Sequence, residues 1–96
     1  MAKLWAKYLP EIERRVAVLD TAAASLAAGT LTSEERESAH ADAHKLAGSL
    51  GTFGLHRGTE IARQAELALA ADPLTATAQQ LGDWAAEIQT LVTDRR

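Results

Sequence analysis

Ala39, Ala43, Leu46, Leu50 and Phe53 recur at i, i+4, i+7, i+11 and i+14, a spacing that an α-helix turns into one continuous apolar stripe. Such a stripe has to face a core. At 100° per residue, the side chain of His44 points away from it and into water. Around His44 on that outer face stand His40 one turn earlier, Ala47 and Gly48 one turn later, and Gly51 two turns later. An outward face normally carries charged and polar side chains. Each interior glycine costs a helix about 1 kcal/mol relative to alanine. A face kept this bare implies that something large comes close to the imidazole, and His44 reads as a reactive group on a docking pad.

The rest of the chain supplies partners for that stripe. Ile12, Val16, Leu19, Ala23 and Leu26 repeat a four-three spacing over residues 11–28, and Gly29 suits a left-handed helix end. Thr32 as N-cap with Glu35 three residues on forms a capping box, so the His44 helix is predicted over 33–52 with Gly54 near its end. A third helix over 55–71 turns Gly58, Ile61, Ala65 and Ala68 inward. Asp72-Pro73 predicts the N-cap and first residue of the last helix, along which Leu74, Ala78, Leu81, Ala85, Ile88 and Val92 align. Ahead of all these, residues 2–9 predict a separate short helix whose Trp5 and Tyr8 cap one end of the core. Pro10 would then open the next helix, where its missing N–H costs nothing. Amphipathic helices of similar length joined by short connections predict an all-α fold. The expected architecture is an antiparallel up-down-up-down four-helix bundle with a short N-terminal capping helix, a single domain over 1–96.

Composition narrows the function. A formal net charge of −3 argues against a nucleic-acid binder, which presents a basic face. The absence of cysteine excludes disulfides, thiol catalysis and cysteine zinc sites. No apolar run approaches the ~18–20 residues of a membrane span, and Met1-Ala2-Lys3-Leu4 does not lead into a signal-peptide core. A cytoplasmic, monomeric protein is the expectation.

The run His44-Lys45-Leu46-Ala47-Gly48-Ser49, followed by Gly54, resembles the His-x-Leu-(Lys/Arg/Ala)-Gly-Ser signature of histidine-containing phosphotransfer (HPt) domains. The likeness extends from about Ala39 to Glu66. It implies that His44 takes a phosphoryl group on Nε2 from a receiver-domain phosphoaspartate, or from a kinase partner, and passes it to another receiver aspartate. The implied partners are response-regulator receivers and a hybrid histidine kinase. The receiver brings Mg²⁺, and this chain needs no cofactor and has no catalytic activity alone. Many members of the family carry lysine three residues after the histidine. Here that position is Ala47, and a lysine stands at Lys45 instead. Lys45 is therefore a candidate to screen the phosphoryl group, with Arg57 and Arg63 on the next helix as alternatives. His40, Ala47, Gly48 and Gly51 are the expected docking residues.

Two other readings compete. Glu37, His40 and His44 offer three potential ligands to a divalent metal along one helix, although the pattern lacks the glutamate between the histidines of helical zinc proteases. A plain helical interaction module without phosphotransfer explains the apolar stripes, but not a histidine on a glycine-flattened outer face.

Overall fold

The computed structural model describes residues 2–95; Met1 and Arg96, included in the single-domain expectation, lie outside the described residues. Four helices follow one another: α1 (Ala2–Ala27), α2 (Ser33–Thr52), α3 (His56–Ala70) and α4 (Ala78–Asp94). Each packs on its neighbours in sequence, and α4 closes the ring against α1, whereas the backbones of the diagonal pairs α1–α3 and α2–α4 stay apart among the described residues. That is the four-helix bundle expected for helices joined by short connections. The bundle measures 40 × 20 × 19 Å, and its long dimension is the length of α1.

The core follows the predicted stripes. Ile12, Leu19, Leu46, Leu50, Ile61, Leu69, Leu81, Ile88 and Val92 are sealed from solvent, each contributing about 1.5–3 kcal/mol by leaving water. Between them lie Ala22, Ala39, Ala43, Ala62, Ala65 and Ala85, also buried. These small side chains let the helices approach closely. The ends of α2 are equally explicit. Thr32 and Glu35 form the reciprocal capping box, and Gly54, with φ of 78°, takes the left-handed turn that releases the chain.

Two expectations are corrected. The separate capping helix does not exist, because α1 runs unbroken from Ala2 through Pro10 to Ala27. A proline inside a helix costs about 3 kcal/mol, but here the carbonyl it strips of a donor belongs to exposed Ala6 and can turn to water. The extra turns are held by Trp5. Its buried ring meets Phe53 edge-on at 5.1 Å and stacks under the Arg95 guanidinium at 4.5 Å. Tyr8 covers the core less than expected, remaining 46 % exposed beside Phe53. The second correction concerns α4, which starts at Ala78 and not at Pro73. Thr77 and Gln80 make a second complete capping box, each side chain accepting from the other's backbone N–H, while Asp72-Pro73 lies in the irregular connection before it.

Candidate functional site

His44 sits midway along α2 on the side that faces α3, with 72 % of its side chain exposed. Its ring is not free to turn. Nδ1 lies 2.7 Å from Oε2 of Glu66, which α3 presents from across the helix pair. An ionised carboxylate can only accept, so Nδ1 carries the proton and donates it to Glu66. Nε2 is left with its lone pair and no protein partner among the described residues. The same Glu66 oxygen is 4.0 Å from Nε2 of His40, one turn before His44.

Beside the ring opens a hollow of about 450 Å³ lined by His44, Ala47, Gly48, Arg63, Glu66 and Leu67. Gly48 is exposed, and a Cβ built on it would meet nothing within 4 Å. Bulk at position 48 would therefore project into the space above the imidazole and not into the protein. Leu67 forms the far rim, 71 % exposed.

The other expected docking residues are placed differently. Ala47 is only 5 % exposed and belongs to the core, forming the floor of the hollow and not a flat outer surface. Its carbonyl accepts a hydrogen bond from Thr59 Oγ1 at 2.9 Å, so this turn of α2 leans on α3. Gly51 faces the same contact, since a Cβ there would sit 3.2 Å from Thr59 Oγ1. Its smallness serves helix packing. The reason is rotational: α3 covers part of the arc that an isolated helix would show to water.

The cations also sort themselves. Lys45 is exposed on the α1 side. The Glu11 carboxyl of α1 is held below its ordinary value chiefly by its hydrogen bond from Arg14, with the charges of Arg14, Arg15 and Lys45 adding to the effect. Arg57 points to α4, donating to Glu87 at 2.9 Å with Glu60 at 3.4 Å; those contacts hold its guanidinium above the ordinary value. Arg36 is turned inward, donating to the carbonyls of Leu69 and Ala71 and so capping the end of α3. Among the described lysines and arginines Arg63 alone lines the hollow.

Glu37 does not join His40 and His44. Among the described residues no three His, Cys, Asp or Glu side chains cluster closely enough to hold a metal ion. Two polar partners escape the sequence reading. Glu66 sits 22 residues from His44 and carries no local motif. Asp42, 7 % exposed, is a buried carboxylate two residues before His44 and accepts from Arg15 Nη1 at 2.8 Å. Asp42 and Arg15 are 27 residues apart, and no local pattern joins them.

Among the described residues no helix is long and apolar enough to cross a membrane. No curated protein and no solved structure matches the chain. The Hpt domain family model, in contrast, matches residues 3–94, nearly the whole length, across all four helices. The chain therefore belongs to the Hpt domain family, whose members carry phosphoryl groups on histidine in phosphorelays and work with response-regulator receivers and kinases.

Proposed function

We propose that His44 is the phosphoacceptor of a phosphorelay, and that the protein is a carrier with no catalytic activity of its own. The observation that supports this is the exposed imidazole whose Nδ1–H is committed to Glu66 while Nε2 faces open space. The Nε2 lone pair attacks the phosphorus of an aspartyl phosphate on a receiver. The P–O bond to that aspartate breaks, its carboxylate leaves with the electron pair, and a P–N bond forms. Nδ1 keeps its proton throughout, so the ring takes on positive charge as the new bond forms. Glu66 stabilises that charge at the moment it develops, which is the electrostatic help this loose transfer calls for. The reverse steps deliver the phosphoryl group to another receiver aspartate. A hybrid histidine kinase is the other partner in this reading.

Membership of the Hpt family implies a division of labour. The receiver supplies Mg²⁺ and the acidic pocket, and this chain supplies the oriented nucleophile as a cytoplasmic monomer with no cofactor. The bare surface at Gly48 and the hollow beside it admit the partner's active site.

Incubation with a phosphorylated receiver tests the reading. The wild-type chain should acquire an acid-labile, base-stable label. His44→Gln should acquire none, while its helicity and melting stay unchanged because the site is exposed. Label that persists in His44→Gln, or a receiver complex in which the wild type takes no label, would overturn the assignment.

A further inference from the structure

A phosphoryl group on Nε2 brings about two negative charges to a place where Glu66 already contributes one. Without a cation the two would repel. On α2 itself none faces the hollow: Lys45 lies toward Glu11 of α1, and position 47 is a core alanine. Among the described residues the other arginines are engaged. Arg14 and Arg15 serve Glu11 and Asp42, Arg36 caps α3, Arg57 holds Glu87, and Arg95 covers Trp5. Arg63 differs from all of them. It lines the hollow beside His44, it is exposed, and it makes no hydrogen bond or ion pair among the described residues. It also stands three residues before Glu66 on α3, on the same side of that helix.

We infer that Arg63 is the phosphate-binding residue of this protein, reaching from α3 to the oxygens of the phosphoryl group carried by His44. The inference rests on the phosphoacceptor reading of His44. A guanidinium suits the task, since its planar fork can donate two parallel bonds to neighbouring phosphoryl oxygens and it stays charged at any working pH. Its lack of a partner in the unmodified chain is part of the device. No ion pair has to break when the phosphoryl group arrives, and the charge of the hollow is brought back toward balance. Glu66 and Arg63 thus act on opposite ends of the same adduct, the first on the ring's Nδ1–H and the second on the phosphoryl oxygens.

The test uses the full chain, labelled both by a phosphorylated receiver and by phosphoramidate, with ³¹P NMR of the adduct as a function of pH. Arg63→Ala should slow labelling about two- to fivefold, the scale of one solvent-exposed ion pair. It should also move the titration of the bound phosphoryl group to higher pH, because a nearby cation favours the dianion. Arg63→Lys should restore most of the rate and most of the titration shift, and melting should be unchanged in both variants. A merely structural arginine would not move the phosphorus titration. Arg63→Ala with wild-type labelling and an unaltered ³¹P titration overturns the inference, as does a loss that follows Lys45→Ala and spares Arg63→Ala. Failure of the underlying reading looks different: the wild type would carry no label at position 44 from either donor.

Discussion

Asp42 and His44 stand two residues apart on α2 and look toward opposite neighbours. On the α1 side, Asp42 is buried against Arg15, and Arg15 reaches on to Glu11 at 2.9 Å, which also takes Arg14 at 2.6 Å. Each charge there has an opposite partner. On the α3 side, His44 has a single partner in Glu66, and the neighbouring Arg63 has none among the described residues. One flank of the helix is electrostatically closed and the other is left open. A saturated network holds a helix at one rotation, whereas spare valence on an imidazole and a guanidinium is useful only when a third group arrives. The closed flank aims the open one.

That contrast can be broken from either side. The largest effect is expected at Glu66, whose removal in Glu66→Ala frees the ring to rotate and to shift tautomer. Orienting partners of this kind are worth ten- to a hundredfold, so receiver-dependent labelling of His44 should fall by about that factor with melting nearly unchanged. Equal rates for the variant and the wild type would show that the carboxylate is a bystander. On the closed flank, Asp42→Ala leaves the largely buried Arg15 guanidinium with exposed Glu11 as its remaining partner and should lower stability by about 2 kcal/mol. Thermal unfolding should register it as a fall of roughly 8–16 °C for a domain of this size. The folded fraction should still accept label; a stable protein with lost transfer would mean the two flanks are not separable.

The smallest effect sharpens the boundary between them. Gly48→Ala should raise stability by up to about 1 kcal/mol, since it gains helix propensity and meets no neighbour. Gly48→Leu should keep much of that gain yet slow transfer from the receiver, because its side chain occupies the approach to Nε2. A drop in melting temperature for Gly48→Ala would indicate that the position is packed in solution.

The parts legible in the sequence are those governed by local rules. The limits of α2 follow from Thr32, Glu35 and Gly54, and the outward direction of His44 follows from the stripe of Ala39, Ala43, Leu46 and Leu50. Where packing overrules a local rule, the reading fails. Pro10 signals a helix start, but the burial of Trp5 against Phe53 carries α1 straight through it. Asp72-Pro73 is a plausible start too, and the Thr77–Gln80 capping box five residues later was an equally readable one that prevails. An isolated helical wheel turns Ala47 and Gly51 toward water because it has no knowledge of α3. Glu66 and the Asp42–Arg15 pair were invisible for the same reason: the rotation of one helix against the next decides which polar residues meet, and no periodicity encodes it.

The bond from Thr59 to the Ala47 carbonyl has a consequence for timing and accuracy alike. Thr59 and Glu66 are separated by seven residues, or two turns of α3, and Ala47 follows His44 by just under one turn of α2. The hydroxyl therefore works as a pin through two sliding rods. A slip of one residue along either axis, about 1.5 Å, would part the carboxylate from the imidazole, and the partly buried pin opposes that slip. Disturbance of the exposed rim at Leu67 can then leave the pairing of His44 with Glu66 in place.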